Sequence, residues 1–237
     1  MTSERGTSFG RVAALYDKHR PSYPVEAIDH ILSLAPPDAR TVVDIGCGTG
    51  KASRLFTARG LHVIGVEPDP DMAAIARAHA AEVHVAPFED WDGPSHPVDI
   101  VVAAQSWHWV DAAVGLPKAL AMLRPGGVFA VMANIPRDGG HDRRDEIDAA
   151  YERVVPGLAQ TTGMLNWEGV FEGLDEPWHV DWDEHLTAHE FVELLQTHSD
   201  YLLLDPQVLA KLIDAVRAAI GPAGVTMRYR TKIAIRR

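Results

Sequence analysis

Residues 42–51 read VVDIGCGTGK, an apolar run that ends in three alternate glycines. The apolar run predicts a buried strand, and the glycines predict a tight turn with a helix following at once. Because glycine has no Cβ, such a turn lets backbone N–H groups approach a nucleotide-like ligand closely. The stretch therefore predicts the first strand of an α/β domain and the loop that holds its ligand.

This loop differs from a dinucleotide-binding loop in two ways. Its spacing is Gly-x-Gly-x-Gly, since Lys51 stands where the last glycine of Gly-x-Gly-x-x-Gly would be. Asp44 lies near the carboxyl end of the strand, where a pyrophosphate would meet a like charge. A ligand with an ammonium and a sulfonium group would instead be attracted by this carboxylate. S-adenosylmethionine is such a ligand.

The chain around this loop alternates strand-like and helix-like segments, which is typical of a parallel sheet with helices on both faces. Nearly continuous apolar runs predict buried strands at residues 41–45, 62–66, 82–86, 98–104 and 127–133. Helices are expected at residues 51–59, 71–80 and 111–123. Two later stretches alternate in period two and are predicted to form the last strand pair, residues 178–185 and 225–235. Capping patterns at Thr187 and Asp205 predict two helices between them.

Several of these stretches resemble the class I S-adenosylmethionine-dependent methyltransferases. Residues 42–50 match the first motif of that family, and VIGVEP at residues 63–68 resembles its second strand with the acid that takes the ribose hydroxyls. VAPFE at residues 85–89 resembles the segment beside the adenine. LRPGG at residues 123–127 resembles the turn before the fifth strand.

Two further stretches narrow the resemblance to the branch that includes trans-aconitate methyltransferase: FGRVAALYDKHRPSYP at residues 9–24 and QSWHW at residues 105–109. The resemblance covers residues 9–134 well and the remainder loosely. It implies a doubly wound α/β fold with a mostly parallel seven-stranded, Rossmann-like sheet, an antiparallel last strand and a helical insert. It implies one domain over residues 1–237, with a lid at 1–25, a cofactor-binding core at 40–134, a helical insert or substrate cap at 135–176, and a C-terminal strand pair with helices at 177–237.

The cofactor that the resemblance implies is S-adenosylmethionine. Glu67 lies 21 residues after Gly46, close to the ~20 expected of an acid that grips ribose hydroxyls, although this spacing fits NAD equally well. The family's lid contacts the methionine end of the cofactor, which assigns that role to Tyr16 and Arg20; an ordinary helix packed on the sheet edge is the alternative. Met72 is expected against the adenine or in the core. The predicted cofactor contacts are Asp44, Gly46, Cys47, Gly48, Gly50, Glu67, Pro68, Met72, Phe88, Glu89, Gln105, Tyr16 and Arg20.

The acceptor side of the site is predicted from the residues that follow the fourth strand. Trp107 and Trp109, together with Tyr23, are predicted to contact the substrate as apolar walls or as faces for a cationic acceptor. His108 is the candidate catalytic base, because the pKa of histidine lies near working pH. A structural histidine is the alternative, since methyl transfer requires a base only when the acceptor must lose a proton. The twelve histidines show no metal-ligand spacing, so no metal site is predicted.

The charge distribution argues against nucleic acid as a partner. The net charge is −11, and the interval between Arg153 and Lys211 holds eleven acidic residues but no lysine or arginine. A face built from this interval would repel a phosphate backbone, although such a run usually means a solvated surface. No apolar run approaches the ~20 residues needed to span a bilayer, and the N-terminus lacks a signal pattern. Cys47, the one cysteine of the chain, fits the reducing cytoplasm in which the protein is expected. The sequence leaves the oligomeric state open.

The leading hypothesis is an enzyme that transfers a methyl group from S-adenosylmethionine to the oxygen or nitrogen of a small molecule by in-line displacement. A non-catalytic module that binds S-adenosylmethionine is the first alternative, and an NAD(P)-dependent oxidoreductase is the second. The class of acceptor stays open. The resemblance and the N-terminal arginines favour a carboxylate. The acidic segment with Trp167, Trp178 and Trp182 favours a neutral or cationic molecule.

Overall fold

The computed structural model describes residues 12–158, 167–175, 177–198, 201 and 204–237. The described residues form seven strands: β1 Thr41–Ile45, β2 His62–Glu67, β3 Glu82–Val85, β4 Val98–Ala104, β5 Leu123–His141, β6 Trp178–Leu186 and β7 Val225–Arg236. They lie in one sheet in the order β3-β2-β1-β4-β5-β7-β6. Neighbouring strands from β3 to β5 are parallel, and β7 runs antiparallel to both β5 and β6. The predicted fold class is confirmed.

The fifth strand differs most from its prediction. It spans Leu123–His141, whereas the apolar pattern predicts only residues 127–133. Its later part contains proline, aspartate and glycine, so no apolar run marks it as a strand. Pairing with β7 holds this part as far as Pro136, which lies opposite Tyr229. A register shift follows before His141, where Asp138, Gly139 and Gly140 have positive φ values. The extension therefore depends on a partner that is distant in sequence.

The described residues also form nine α-helices: α1 Ala13–His19, α2 Val25–Leu34, α3 Ser53–Thr57, α4 Pro70–Ala76, α5 Ala112–Ala121, α6 Arg144–Val154, α7 Trp167–Val170, α8 Ala188–Leu195 and α9 Pro206–Ile220. The three predicted helices at 51–59, 71–80 and 111–123 are present as α3, α4 and α5, but each is shorter. The first is cut to five residues because the chain turns at Gly60, whose φ of +81° is left-handed.

Local capping fixes where three of these helices begin. The Asp69 side chain accepts hydrogen bonds from the N–H groups of Asp71 and Met72, so α4 begins at a proline, one residue before its predicted start. The predicted capping box of α8 is confirmed, since Thr187 and Glu190 bond each other reciprocally. Asp205 caps α9 in the same way as Asp69 caps α4.

Three apolar clusters hold the described residues together. The first lies on one face of the sheet and includes Trp107 and Phe129. The second lies on the other face, where α2 packs through Ile28 and Ile31. The third joins α6, α8 and α9 to the first residues of β7, from Val225 to Tyr229. The predicted insert and the C-terminal helices therefore share one core, which stands beyond the carboxyl ends of the parallel strands.

Part of the predicted division of the chain falls outside the described residues. This applies to residues 1–11 of the predicted lid and to residues 159–166 and 176 of the predicted insert. In the ranges that are described, no helix has the length and apolar character needed to cross a membrane. No group of three His, Cys, Asp or Glu side chains that could hold a metal ion occurs in those ranges.

Candidate active site

The loop after β1 is built around its glycines. Gly46, Gly48 and Gly50 have φ values of +62°, +58° and +84°, in the left-handed region that favours glycine. A Cβ on Gly46 would lie only 2.5 Å from the Cβ of Ser106, the second residue after β4. The Ser106 hydroxyl donates to the backbone oxygen of Ile45, which ties the two loops together. The loops after β1 and β4 therefore form one edge of a cleft at the carboxyl ends of these strands.

Asp44 is fully buried directly beneath this loop. One carboxylate oxygen accepts a hydrogen bond of 2.7 Å from the hydroxyl of Ser53 in α3. The other oxygen, Oδ1, is buried and has no hydrogen-bond partner among the described residues. Burial raises the pKa of Asp44 to about 7, against the opposing hydrogen bonds from Ser53. A buried carboxylate with a free acceptor fits a ligand that carries positive charge.

Glu67 ends β2 and holds the glycine loop from the other side. Its two oxygens accept hydrogen bonds of 2.9 Å from the backbone N–H groups of Gly48 and Asp69. Burial raises its pKa to about 7 against these two bonds, and the charges of Asp69 and Asp44 raise it further. Each carboxylate oxygen has a second lone pair, which matches the predicted bond to a ribose hydroxyl. Met72 packs beneath the loop, its Cε 3.5 Å from the position of a Cβ on Gly48.

Two predicted adenine contacts, Phe88 and Glu89, lie on a 3₁₀ turn after β3. The Phe88 ring is only 4% exposed and belongs to the first apolar cluster. Glu89 accepts a 2.8 Å hydrogen bond from the N–H of Asp111 at the start of α5, and Lys118 donates to its backbone oxygen. These two hydrogen bonds of Glu89 attach the 3₁₀ turn to α5. Their contact with the adenine stays a prediction, as does the contact of Pro68 and Cys47 with the cofactor.

Gln105 shows a feature that no sequence pattern indicated. It is the first residue after β4, and its φ of +58° is unusual for a residue other than glycine. Its side-chain amide donates a 3.0 Å hydrogen bond to the backbone oxygen of Asn134 in β5. Its Oε1 is buried and has no hydrogen-bond partner within the described ranges. Strained backbone with a buried free acceptor is typical of a ligand site, which agrees with the predicted role of Gln105.

The 3₁₀ turn Trp107–Trp109 follows, and its three side chains have different surroundings. The Trp107 ring is 5% exposed and packs on Phe129 with 4.8 Å between ring centroids. This ring belongs to the core, so little of it is left for an acceptor. Trp109 is half-buried and lies against the His108 ring at 4.8 Å. The turn therefore leaves His108 and Trp109 partly accessible, whereas Trp107 is part of the core.

Burial lowers the pKa of His108 to about 4. The imidazole is therefore expected to stay neutral from pH 5.5 to pH 8, where an ordinary histidine gains a proton. NMR titration of the ring protons checks this, with the His108→Gln variant assigning the signal among the twelve histidines. A midpoint near 6.5 would contradict the buried setting of the ring.

The N-terminal helix α1 lies over the glycine loop and connects it to α8. Lys51 donates a 2.7 Å hydrogen bond to the backbone oxygen of Asp17, and Arg54 forms an ion pair with the Asp17 carboxylate. At the C-terminal end of α1, His19 and Glu193 of α8 approach to 2.6 Å. The predicted lid thus includes a helix that is anchored on both sides.

Arg20 directly follows this helix, and its guanidinium carbon lies 5.2 Å from the centre of the Tyr16 ring. Arg20 donates to both the hydroxyl and the backbone oxygen of Thr197, at 2.8 and 3.0 Å. These bonds use two of its five N–H donors. The predicted contact of Tyr16 and Arg20 with the methionine end of the cofactor stays a prediction.

A cavity of about 250 Å³ opens between the segment after α1 and strand β6. Its lining residues are Ser22, Tyr23, Pro24, Trp182 and Glu184. Burial raises the pKa of Tyr23 well above its usual range. The nearby groups Tyr16 and Asp44 raise this pKa further, and Arg20 lowers it. Tyr23 therefore lines this cavity and also feels the charge of the buried carboxylate under the glycine loop. Sequence reasoning missed Glu184, although the period-two alternation of β6 places it on the same face as Trp182.

A chain of buried hydrogen bonds connects this cavity to the cleft. Trp182 donates through Nε1 to the Thr231 hydroxyl at 2.8 Å, and that hydroxyl donates to Asn134 Oδ1 at 2.7 Å. The Asn134 amide donates to the backbone oxygen of Ser22 at 2.9 Å. Since Gln105 bonds the backbone of the same asparagine, β4, β5, β7 and β6 all contribute to one polar network.

Comparison with known proteins agrees with this geometry. A family model described as a methyltransferase domain matches residues 42–127. An uncharacterised methyltransferase of Mycobacterium tuberculosis strain H37Rv is 33% identical over 223 residues, which cover 90% of this chain and 86% of that protein. The chain belongs to the class I S-adenosylmethionine-dependent methyltransferases. A trans-aconitate 2-methyltransferase of Acidovorax sp. strain JS42 is 32% identical to this methyltransferase over 209 residues, 81% of each chain.

Solved structures are similar to the methyltransferase as well. A methyltransferase structure from Anaeromyxobacter dehalogenans has a TM-score of 0.65 and 28% identity, covering 92% of this chain and 96% of that one. An S-adenosylmethionine-dependent methyltransferase from Geobacter sulfurreducens, solved with S-adenosylhomocysteine, has a TM-score of 0.51 at 13% identity and covers 94% and 96% of the two chains. At that identity the likeness concerns the fold alone.

The predicted family, enzyme class and cofactor are therefore confirmed, and the NAD(P)-dependent oxidoreductase is set aside. The residues of the methyltransferase fit S-adenosylmethionine on their own chemistry. The free oxygen of Asp44 suits a cation, and Gly46 stands where no side chain could be accommodated. Asp44, Glu67 and the glycine loop are the residues that would hold this cofactor.

Proposed function

We propose that the methyltransferase acts on a small molecule, which it methylates on oxygen or nitrogen by in-line displacement. The observation that carries this proposal is the cavity of about 250 Å³ that is lined by Tyr23, a residue on which the charge of Asp44 also acts. A space of this size, lined by the segment after α1, suits a small acceptor better than an extended polymer. The lack of lysine and arginine between Arg153 and Lys211 also supports a partner other than nucleic acid.

S-adenosylmethionine, when bound, supplies a methyl group on a positively charged sulfur, and the acceptor's lone pair takes the methyl carbon while the bonding electrons return to sulfur. Because the leaving group is neutral, the protein has chiefly to align the partners and exclude water. Asp44 would hold the positive charge of the amino-acid end. Glu67 would hold the ribose, and α1, anchored to Lys51 and to α8, would act as the lid.

His108 would orient the acceptor rather than act as a strong base. A neutral imidazole accepts a hydrogen bond from an O–H or N–H group. Because its pKa is about 4, its conjugate acid is too strong to retain a proton at neutral pH. The proton of the acceptor would therefore leave to solvent, and Trp109 would shield the turn. We also propose that the chain functions as a single domain with the lid, core and insert described above.

The first test is calorimetric titration of the full chain with S-adenosylhomocysteine, with NADH as the matched control. Saturable binding of the first alone is expected. Transfer from methyl-labelled S-adenosylmethionine is then measured in a metabolite extract, in total protein and in RNA. Label in the small-molecule fraction is the expected result. Label only in protein or RNA would refute the small-molecule acceptor, and binding without any transfer would indicate a non-catalytic module.

A further inference from the structure

We propose that the acceptor carries a positively charged amine, which pairs with Glu184 inside the cavity between Trp182 and Tyr23. This inference rests on the proposed function, because it assigns the substrate class of the same site. It concerns how the acceptor is bound and leaves open which of its atoms is methylated.

Glu184 differs from the other acids of its strand. Asp181 forms an ion pair with Arg230 and Asp183 forms one with Arg137, both at 2.6 Å on the opposite face of β6. Glu184 lines the cavity and is half-buried. Its side chain makes neither a hydrogen bond nor an ion pair with any described residue. A partly desolvated carboxylate without a partner is costly, so it favours an ammonium group that enters the cavity.

Two cations near this part of the site, Lys51 and Arg20, have other hydrogen-bond partners. Lys51 and Glu184 attract each other at a distance, but the Lys51 amine donates to the backbone of Asp17. The charge of Arg20 lowers the pKa values of Tyr23 and Tyr229, and its guanidinium donates a hydrogen bond to Thr197. Neither residue is among those that line the cavity, and the part of its wall that the structure describes contains no lysine or arginine. A carboxylate acceptor would thus meet a like charge there.

The aromatic walls add a second reason for a cation. The rings of Trp182 and Tyr229 lie 4.7 Å apart, and the bond from Trp182 to Thr231 fixes the indole in place. Tyr23 lines the same cavity as Trp182. The negative faces of aromatic rings attract ammonium groups and repel anions. Burial also raises the pKa of Glu184, which a bound cation would reverse.

The proposal is tested with three ligands of one shape: phenethylamine, phenethyl alcohol and 3-phenylpropionate. Their binding to the full chain saturated with S-adenosylhomocysteine is followed by calorimetry and by tryptophan fluorescence. The amine is expected to bind most tightly, and Glu184→Gln is expected to weaken it by roughly tenfold to a hundredfold. Asp183→Asn, which makes the same charge change on the opposite face, is the matched control and should leave the amine's affinity unchanged.

The outcomes separate this inference from the proposed function. If the wild type fails to bind S-adenosylhomocysteine, the proposed function fails before any acceptor is tested. If Glu184→Gln keeps its affinity for S-adenosylhomocysteine and loses the amine, both stand. The inference is wrong if no amine binds at millimolar concentration, if the carboxylate binds as well as the amine, or if Glu184→Gln and Asp183→Asn have the same effect.

Discussion

Replacement of Asp44 by asparagine is expected to weaken the binding of S-adenosylhomocysteine by roughly a hundredfold or more, and to stabilise the free protein at pH 8. Asparagine keeps the shape of the side chain and can still accept the hydrogen bond from Ser53. It loses the charge that would pair with the ligand's ammonium group, and loss of one partner of a buried ion pair costs about 3–5 kcal/mol. In the ligand-free protein the same charge lowers the stability of the fold, because Asp44 is fully buried.

The pH dependence of stability gives an independent check on Asp44. Its folded pKa of about 7 lies above the ordinary value of 3.8, so the folded state holds the proton more tightly than the unfolded chain. This contribution is complete below pH 3.8 and is lost as the pH rises to about 7. The loss is on the order of 2–4 kcal/mol. Asp44→Asn should lack this part of the decline.

Urea unfolding at several pH values between 5 and 8, together with calorimetry of S-adenosylhomocysteine, measures both effects of this substitution. Asp92→Asn, at an exposed position, serves as the control. An Asp44→Asn variant that binds like the wild type, or that is less stable than the wild type at pH 8, would show that Asp44 is an ordinary structural acid.

Alanine at position 46 is expected to abolish binding of S-adenosylhomocysteine and to lower the free energy of unfolding by roughly 2–4 kcal/mol. The added Cβ would stand 2.5 Å from the Cβ of Ser106, a separation at which one of the two loops must move. A φ of +62° is also unfavourable for alanine. Movement of the glycine loop would break the bond between Gly48 and Glu67, and with it the proposed ribose site.

Gly60→Ala is a matched control within the same chain. Gly60 also has a left-handed φ, of +81°, but a Cβ there meets nothing within 4 Å. That variant should show only the backbone cost, roughly 1–2 kcal/mol, and should bind S-adenosylhomocysteine normally. Thermal unfolding and calorimetry on the two variants isolate the steric effect of the cleft. Equal losses of stability and of binding in the two would exclude a special role for the contact with Ser106.

The parts of this protein that sequence could predict are those with local causes. The turn at Gly46 and Gly48 follows from residue types that are adjacent in the chain, and so do the caps of α8 and α9. Four of the five parallel strands could be predicted because burial on both faces leaves continuous apolar runs, whereas β3 at the sheet edge is only partly buried. The acids on the cofactor side of the cleft could be predicted in the same way, since Asp44 and Glu67 lie at the carboxyl ends of two such strands.

The remaining features depend on contacts between distant segments. The same aromatic residue after a strand can face a ligand or the core, and only packing on Phe129 places Trp107 in the core. The positive φ of Gln105 accompanies its bond to Asn134, 29 residues later. Glu184 faces the cavity because of the pairing between β6 and β7. No local pattern contains that information.

The position of β7 has a consequence for how the molecule is made. This strand lies between β5 and β6, yet it follows both of them in the chain. On the ribosome, β6 and the two helices after it emerge before β7 exists, so β6 has no strand to pair with and the outer edge of β5 stays open. The cofactor half can assemble early, whereas the wall that carries Trp182 and Glu184 forms only when β7 inserts. A nascent chain stalled before residue 225 would therefore expose an unpaired strand edge, the kind of surface that chaperones protect from aggregation.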